Sequence, residues 1–566
     1  MMSSLALPPG LILIFGGLLL PWLSERLRPV AVIGLPALVL LLIWTISPEA
    51  SLDIGFLNHT VQLLNVTAVG KVFATVFAIM AGLGGLYALK VARPLELSAA
   101  FVYAGSAIGV TFSGDLISLF VFWEIMAIGS TLVLWANSND NARAYSASIR
   151  YLLIHLLGGV ILMAGIAAHV AATGSIEFTA MRADSFGTIL ILIGFLVNAG
   201  APPLSSWIAD AYPEASPSGM IFLSSFTTKT AVFALLVGFP GETILIYIGL
   251  YMVFYGIVYA LLENDIRRIL AYSIVSQVGF MVTAIGIGSE LALNGATAHA
   301  FAHILYKGVL LMSAGSVLLM TGKRKCTDLG GLFQSMPVTA INGIIGALAI
   351  SAVPLTSGFV TKSLETSAAA YEGLSLVWFL LIAASAGTFL YAGLKFPWFV
   401  FFQKDSGMRP PDPPWNMRLA MWLTSGLCIL IGVFPALIYN ILPYPIDYKP
   451  YTADHIVTQL QLIAFAGLAF FMLLPMIKPM MTVSLDFDWI YRKLVPGMIS
   501  WLSAHNKIHG GPALQAIRDF GQRRYDHLFH VHGPQGILGR TWPSASMVMW
   551  VAVLLATSMI LYFMKP

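Results

Sequence analysis

Residues 116–127 have the sequence LISLFVFWEIMA, an apolar run that holds a single carboxylate, Glu124. A charge at the centre of a membrane-spanning helix costs roughly 2.5–3.5 kcal/mol on insertion scales. Five lysines lie in similar apolar runs: Lys71, Lys229, Lys307, Lys362 and Lys395. Such groups must be paired, hydrated or neutralised, and a buried series of titratable groups is also what a path for protons or cations requires.

The composition predicts an all-α polytopic membrane protein with no large soluble domain. Of the 566 residues, 58% are hydrophobic and 10% are charged, whereas soluble domains average about 25% charged residues. The two cysteines, Cys326 and Cys428, have no metal or redox spacing. We find no nucleotide, haem or iron–sulfur motif, so we expect no cofactor, no metal, no catalytic residue and no nucleic-acid partner.

A membrane span needs about 20 apolar residues. About sixteen segments of the chain are long and apolar enough. The predicted spans lie near 9–24, 29–47, 68–90, 97–113, 116–136, 148–172, 187–206, 217–239, 243–262, 268–288, 295–320, 338–361, 374–401, 417–440, 456–477 and 546–563.

The distribution of basic residues between these spans predicts the orientation. If the N-terminus is outside, 22 lysines and arginines fall on the inner side and 3 on the outer side. This asymmetry follows the positive-inside rule. It predicts a bacterial cytoplasmic (inner) membrane protein with both termini on the outer side.

Glu124 and Lys229 lie in the middle of their spans, without a charged residue in the neighbouring helical turns. Each could bind and release a proton, and the alternative for Glu124 is a fixed ion pair between helices. For Lys71 and Lys395, which lie near span ends, snorkelling towards the membrane surface is an equal alternative.

His299, His303 and Lys307 are spaced at i, i+4 and i+8, which puts them on one helix face. We predict a proton relay along this face, with structural hydrogen bonding as the alternative and metal binding as a remote one. His155 is a lone membrane histidine, for which packing and relay roles are equally open.

Two spans contain breaks of similar chemistry. Pro202 and Pro203 interrupt the first, and Pro354 and Gly358 interrupt the second. A proline removes a helix hydrogen bond and frees carbonyls, which at membrane depth must face protein or water. Corresponding breaks in two halves of a chain indicate a transport site and an imperfect internal repeat.

The chain resembles the family of antiporter-like membrane subunits. The resemblance runs over roughly residues 65–440 and rests on a series of ordered motifs: Phe122-Trp-Glu124, Pro203-Leu-Ser-Ser-Trp207, Thr227-Thr-Lys229, Asn264-Asp-Ile-Arg-Arg268, His299-x-x-x-His303-x-x-x-Lys307 and Ser357-Gly-Phe-Val-Thr-Lys362. The family includes the D-type subunits of Mrp-type cation/proton antiporters and membrane subunits of respiratory complex I and of energy-converting hydrogenases.

The resemblance implies a core of about fourteen helices with two inverted five-helix repeats, and about two further helices follow at the C-terminus. We therefore expect this division of the chain: N-terminal helices 1–95, first repeat 96–240, second repeat 241–403, C-terminal core helices 404–477, a cytoplasmic-side amphipathic segment 478–545 and a final membrane helix 546–566. The segment 478–545 is either a solvated loop with surface helices or a docking arm for a neighbouring protein of the complex.

The resemblance also implies a polar axis at mid-membrane through Glu124, Lys229, Lys307 and Lys362. The chain departs from the family at one position, where Asn198 replaces the usual lysine of the seventh helix. Glu124 would then need another partner, such as Lys229, or His155 as a substitute.

These features predict a component of a secondary transporter rather than an enzyme. It would move protons within a multisubunit monovalent cation (Na⁺)/proton antiporter, with other membrane subunits, the lipid bilayer, protons and cations as its partners. The alternatives are a proton-pumping module of an NADH dehydrogenase-like or hydrogenase-like redox complex, a membrane module coupled to another soluble enzyme, and a scaffold that moves no ions.

Overall fold

Helices make up nearly all of the chain that the structure, a computed structural model, describes: residues 7–56, 59–480, 486–501 and 519. Contacts divide the chain into two units, 1–488 and 489–566. In the second unit the described residues are helical around Ile490–Leu494. The predicted span 546–563 and most of the segment 478–545 lie outside the described residues.

The first half of the large unit contains ten helices and one hairpin. Their bounds are α1 Pro9–Leu19, α2 Leu27–Thr45, β1 Ser51–Phe56, β2 His59–Asn65, α3 Ala68–Ala88, α4 Pro94–Thr111, α5 Leu116–Trp135, α6 Ala142–Thr173, α7 Phe186–Ala199, α8 Ser206–Ala211, α9 Gly219–Ser225 and α10 Thr227–Gly238.

The second half continues with ten more helices. They are α11 Ile244–Leu262, α12 Ile266–Ile287, α13 Glu290–Thr321, α14 Pro337–Ile350, α15 Ser357–Tyr371, α16 Ser375–Thr388, α17 Trp415–Val433, α18 Ala436–Tyr439, α19 Ala453–Met472 and α20 Leu474–Ile477. Wider helical turns at Phe389–Lys395 and Trp398–Phe402 extend α16.

The predicted all-α membrane fold is confirmed. Among the described residues, eleven helices are long and apolar enough to cross a membrane, and three shorter apolar helices accompany them. Each of the first fifteen predicted spans overlaps one helix or two or three consecutive helical pieces.

The predicted boundary at residue 361, after the second helix break, was wrong. The span predicted at 338–361 is two helices, because α14 ends at Ile350 and α15 continues from Ser357 to Tyr371. The apolar run fades after residue 361, but the helix continues until Gly373 takes a left-handed backbone conformation (φ +70°). Lys362 therefore lies inside a helix, together with the residues that follow it.

The antiparallel hairpin β1–β2 was not predicted. Its strands pair from Ser51 with Asn65 to Phe56 with His59. The main-chain N–H of Gln62 donates to the Asp115 carboxylate at 2.7 Å. The hairpin thus ties the connection after α2 to the start of α5.

The two predicted repeats show matching local structure. Asp115 accepts two main-chain N–H groups at the start of α5, and Asp265 does so at the start of α12. Each aspartate also pairs, strand-like, with a residue that follows the next helix, Glu177 and Lys325 respectively. Both intervening helices, α6 and α13, have 32 residues, and each is followed by a helix that breaks. This correspondence supports the duplication.

The core of the large unit is centred on α12, which is buried along its whole length, and on α13. α12 packs against α11 and α13, and α13 packs against α14, α15 and α17. Polar side chains on α12, α13 and α15 therefore meet away from lipid.

Candidate ion-translocation site

The predicted face of α13 lies in the protein interior. His299, His303 and Lys307 are each 0% exposed. Their rings follow the helix, with 6.2 Å between the centroids of His299 and His303, and no hydrogen bond joins the two rings among the described contacts. The structure thus brings the three predicted residues together, but their hydrogen bonds go to other residues of α13 and to neighbouring helices rather than from one predicted residue to the next.

His299 connects α13 to α15 and α12. Its Nδ1 lies 2.9 Å from the Glu365 carboxylate, and its Nε2 lies 2.8 Å from the Tyr306 hydroxyl. Tyr306 donates in turn to the Gln277 side-chain oxygen of α12 at 3.3 Å. A continuous polar chain therefore crosses three helices.

Sequence reasoning missed Glu365, a fully buried carboxylate. It lies three residues after Lys362, so the two side chains share one face of α15. A predicted helix that continued to Gly373 would have included Glu365. The predicted span ended at 361, so Glu365 lay outside it.

His303 has two ring nitrogens without a hydrogen-bond partner among the described residues. Its ring packs edge-on against Tyr306, with 5.3 Å between the centroids. Buried polar atoms are normally satisfied by protein or by water. An imidazole in this position can accept or donate a proton without first breaking a bond to the protein.

Lys307 continues the polar row towards α12. Its ammonium donates to the Ser273 hydroxyl at 2.6 Å and to the Leu270 carbonyl at 3.3 Å. No acidic side chain lies within 4 Å of it among the described residues. The lysine is therefore held by neutral oxygens.

Lys362 lies beside the second broken helix. Its ammonium donates to the carbonyl of Ile350, the last residue of α14, at 2.8 Å and stands 5.0 Å from the Phe280 ring centroid. The break that frees this carbonyl contains Pro354 and the left-handed residues Ala352 (φ 55°) and Leu355 (φ 69°). The helix break thus supplies a polar partner for the charge of Lys362.

Gly358, in the first turn of α15, is required by close packing. A Cβ atom there would collide with the carbonyl oxygen of Ala349. Any larger residue would push α15 away from α14, and Lys362 would move with it.

The first broken helix has the same plan. α7 ends at Ala199, α8 begins at Ser206, and Pro202 and Pro203 lie between them. The indole N–H of Trp207 donates to the carbonyl of Val197 at 3.1 Å. Here an indole, rather than a lysine, satisfies a carbonyl near the break.

Asn198, at the end of α7, pairs with His155 of α6. The His155 Nδ1 and the Asn198 side-chain oxygen are 2.9 Å apart, and both residues are buried. The Trp207 ring packs on the imidazole, with 4.6 Å between the centroids. Where the family has a lysine, this chain has an asparagine that is hydrogen-bonded to a histidine.

Glu124, on α5, stands against Gly159 of α6, the helix that also carries His155. A Cβ on Gly159 would collide with the Glu124 Oε1, so any larger residue there would displace this carboxylate from its present position. Oε1 has no hydrogen-bond partner among the described residues, and Glu124 forms no ion pair there within 4 Å. A direct pair between Glu124 and Lys229 is therefore not formed in this structure.

Lys229 lies where the eighth membrane helix bends between α9 and α10. Its ammonium donates to the Ser224 carbonyl at 2.6 Å and to the Thr228 hydroxyl at 3.1 Å. Both partners belong to its own helix. Lys229 is fully buried, which excludes snorkelling.

Lys395 and Lys71 have other surroundings. Lys395 is 1% exposed, and its ammonium donates to the carbonyls of Leu261 and Glu263, at 2.6 Å each, at the end of α11. A cation at a helix C-terminus satisfies free carbonyls and complements the helix dipole. Lys71 is half-buried and contacts the Ile46 carbonyl at 3.4 Å.

A second charged cluster, at the end of the fold where α12 begins, was not predicted. Arg324 pairs with Glu214 at 2.9 Å and with Asp265 at 2.7 Å. Although burial opposes ionisation of Glu214, the Arg324 guanidinium holds the pKa of that carboxyl below its usual range. Burial raises the pKa of Asp265. This cluster borders a cavity of about 440 Å³.

Comparisons with known proteins agree with this architecture. The model of the NADH:quinone oxidoreductase/Mrp antiporter membrane family matches residues 113–390. A probable K⁺/H⁺ antiporter component of Rhizobium meliloti, its A/B subunit, is 29% identical over 408 residues, which cover 67% of this chain and 40% of the relative. The A1 subunit of an Na⁺/H⁺ antiporter of Staphylococcus haemolyticus is 28% identical over 383 residues, which cover 60% and 47%. The chain thus spans less than half the length of both relatives.

Two solved structures share the fold. A chain of the Mrp complex from Dietzia sp. superposes with a TM-score of 0.70 at 18% identity, covering 83% of this chain and 99% of that one. A chain of the membrane-bound sulfane sulfur reductase, an archaeal respiratory membrane complex, gives a TM-score of 0.67 at 24% identity, covering 81% and 98%. Over residues 113–390 the chain therefore matches the membrane domain of the NADH:quinone oxidoreductase/Mrp antiporter family.

Proposed function

We propose that this chain is the proton-translocating component of a multisubunit monovalent cation (Na⁺)/proton antiporter. It is an integral membrane protein that would work beside other membrane subunits. The relatives are named as components of K⁺/H⁺ and Na⁺/H⁺ antiporters, which supports this class of transport. Those relatives are A/B and A1 subunits, so the likeness to the D-type subunits of Mrp antiporters remains a prediction from sequence.

The polar row on α12, α13 and α15 carries the proposal. Its members are Lys307, His303, His299, Glu365 and Lys362, all buried between helices. Buried titratable groups inside a membrane are rare and costly, and a row of them indicates an ion or proton path. The two histidines of this row lie between Lys307 at one end and Lys362 at the other. A proton could therefore be exchanged along the row in short steps.

The first half would contribute through Glu124. Its Oε1 is left without a protein partner among the described residues, so it can take up a proton from water that reaches α5 and α6. Asn198 carries no charge, so it cannot supply the compensating positive charge that a lysine would supply at this position. We therefore propose that Glu124 works with Lys229 through intervening water rather than through a direct ion pair.

The test uses the assembled complex in inverted membrane vesicles. A proton gradient is imposed, and its dissipation after addition of Na⁺, K⁺ or Li⁺ is measured. Lys362→Met and Glu124→Gln should each reduce cation-dependent proton flux at least tenfold. Lys71→Met, which removes a half-buried lysine outside the row, is the matched control. Unchanged flux in both Lys362→Met and Glu124→Gln would defeat the proposal.

The alternative is a proton-pumping membrane module of a redox complex. The fold that this chain shares with a chain of the sulfane sulfur reductase complex is compatible with it. The two functions differ in what drives the proton. Proton flux that depends on an electron donor, and not on added Na⁺, K⁺ or Li⁺, would select the alternative.

A further inference from the structure

An apolar groove lies on the lateral surface of the large unit, between α2, α3 and α17. Its volume is about 540 Å³, and the thirteen described residues that line it are all apolar. Ile33 on α2 and Trp422 and Leu423 on α17 are exposed, whereas Ala78 and Leu86 on α3 are buried. α3 is therefore the floor of this groove, which opens sideways, where a membrane protein meets lipid.

Two glycines give the groove its depth. A Cβ on Gly426 of α17 would meet no atom within 4 Å, so even a methyl group there would leave the groove open. A Cβ on Gly82 of α3 would meet only the side chain of Pro36, at 3.5 Å. Neighbouring helices in a protein normally fill such space with side chains. Here the three helices leave a gap that something outside this part of the chain can occupy.

The groove is too small to admit a transmembrane helix. On its floor it extends over residues 78–86, a length of about 12 Å at the rise of an α-helix. A helix with its side chains is about 10–12 Å across, so a piece of that length would need roughly 1,000 Å³. This is about twice the volume of the groove. An extended acyl chain is much thinner than a helix and fits it.

Two basic side chains lie at one end of this apolar groove. Lys90 follows the floor residue Leu86 by one helical turn, and Arg418 precedes the wall residue Trp422 by one turn. Both basic residues are exposed. The Lys90 ammonium stands 5.6 Å from the ring centroid of Trp415, which joins α3 to the start of α17 at this end. The two positive charges are therefore at the same end of the groove.

α2 contributes a third basic residue there. Arg26 is the N-cap of α2 and stands seven residues before Ile33, so the two lie on one face of the helix. Among the described residues, Arg26, Lys90 and Arg418 form no ion pair within 4 Å, and neither does the adjacent Glu25. The three cations are thus available to an anion from outside the protein.

The basic end of the groove lies at the level of lipid headgroups. Trp415 is the first residue of α17 and is exposed, and tryptophan is enriched at the membrane–water interface. Beyond it the groove continues along α17 into the apolar part of the membrane. Basic pockets between transmembrane helices are typical sites for anionic headgroups. The order of the two parts, cations first and apolar groove behind, is that of a phospholipid.

We propose that this groove is a binding site for one anionic phospholipid. One acyl chain lies on α3 between α2 and α17, and the phosphate is held near Lys90, Arg418 and Arg26. A zwitterionic lipid fits the apolar part equally well, but its own positive charge opposes the three cations. This inference goes beyond the proposed function, because it concerns the outer surface of the helix bundle and involves no residue of the proton path.

Photolabelling of the assembled, purified complex tests the lipid site. Phosphatidylglycerol that carries a diazirine on one acyl chain is added, the sample is irradiated, and the labelled residues are identified by peptide mass spectrometry. Labels on the groove residues should be at least fivefold more abundant than with phosphatidylcholine that carries the same chains. Equal labelling by the two probes would show that the groove contacts only bulk lipid, and this would overturn the proposal.

Removal of charge tests the position of the headgroup. One basic residue near the membrane surface changes the binding of an anionic lipid roughly fivefold. The double variant Lys90→Gln with Arg418→Gln should therefore lower groove labelling by phosphatidylglycerol at least tenfold. Arg143→Gln is the matched control, because it removes an exposed arginine at the start of α6 that does not line the groove. Unchanged labelling in the double variant would contradict the proposal.

Filling the groove tests the position of the acyl chain. Gly82→Leu should lower groove labelling by phosphatidylglycerol at least tenfold, while Gly34→Leu should leave it unchanged. Gly34 is an equally open glycine on α2, where a Cβ meets no atom within 4 Å, and it does not line the groove. Melting temperatures show whether each variant complex is intact. Normal labelling in an intact Gly82→Leu complex would overturn the proposal.

A cysteine crosslink tests the competing occupant, another protein of the complex. Ala37 is an exposed residue of the groove wall on α2. Ala37→Cys should form no crosslink to another subunit when a short bifunctional thiol reagent is added to the complex. A crosslink at this position would show that protein covers the groove, and the inference would be wrong. Because none of these measurements depends on transport, they remain decisive even if the proposed function fails.

Discussion

The Glu365 carboxylate lies 2.9 Å from Nδ1 of His299, and both side chains are fully buried between α13 and α15. His299 is also hydrogen-bonded through its other nitrogen, so the ring is held in one orientation by two partners. The carboxylate is thus coupled to the histidine of the next helix and, through α15, to Lys362. A change in the charge of any of these groups acts on the other two.

Glu365→Gln should therefore reduce cation-dependent proton flux at least tenfold while the complex still assembles. The amide keeps a hydrogen-bond acceptor for His299 but cannot carry a charge or a proton. Glu372→Gln, at the exposed end of the same helix, is the matched control. If Glu365→Gln transports normally while Glu365→Ala does not, the carboxylate has only a structural role.

Gly159→Ala should impair transport without destabilising helix α6. The new methyl group would displace the Glu124 carboxylate, although alanine is about 1 kcal/mol more favourable than glycine in a helix. Gly426→Ala in α17 is the control, because a Cβ there meets no atom within 4 Å. Flux in vesicles and the thermal stability of the purified complex should be measured together. Normal flux in Gly159→Ala would show that the position of Glu124 does not matter.

Lys395→Met should lower the stability of the complex but leave transport nearly normal. It leaves the carbonyls at the end of α11 without their donor, which costs about 1–3 kcal/mol. We expect a lower melting temperature of the complex but nearly normal flux per assembled complex. Lys362→Met should lose flux instead. A loss of flux in Lys395→Met without loss of stability would return Lys395 to the proton path.

The ion pair between Arg324 and Glu214 predicts a pH-dependent contribution to stability. The pKa of Glu214 is below its ordinary value of 4.5. A carboxyl with a lowered pKa contributes stability above its unfolded-state pKa and loses it as the pH falls through the folded-state pKa. Glu214→Gln should therefore be less stable than the wild-type complex at pH 7, and this difference should shrink below about pH 4.5. A difference that stays constant from pH 7 to pH 4 would contradict the assignment.

Much of the fold could be predicted because the membrane imposes a simple rule. Apolar runs of sufficient length must be helices, and helices were found at all fifteen predicted spans within the described residues. The lysines and Glu124 were also visible, since a charge in an apolar run stands out. The hairpin 51–65 was missed because its short strands lie between helices, where no hydropathy signal distinguishes a strand from a loop.

The site was predicted less completely for physical reasons. Glu365 lies in α15, where residues 361–367 are polar except Leu364. The hydropathy signal of this helix is therefore weak at the point where the helix passes through the interior. The hydrogen-bond partners of the buried groups could not be predicted from the sequence either. Sequence spacing placed His299 and His303 on one face of α13. Tertiary packing brought Glu365 of α15 to one ring nitrogen of His299, and Tyr306, two turns further along α13, is hydrogen-bonded to the other.

Lys229, Lys362 and Lys395 each donate to a main-chain carbonyl, those of Ser224, Ile350 and Leu261. All twenty amino acids carry the same carbonyl oxygen. A systematic mutational scan will consequently detect the three donors and overlook these carbonyl acceptors, and comparison of related sequences will show no covariation that reports on the carbonyls. Only replacement of a peptide bond by an ester, which weakens the carbonyl as an acceptor, would reveal these acceptors experimentally.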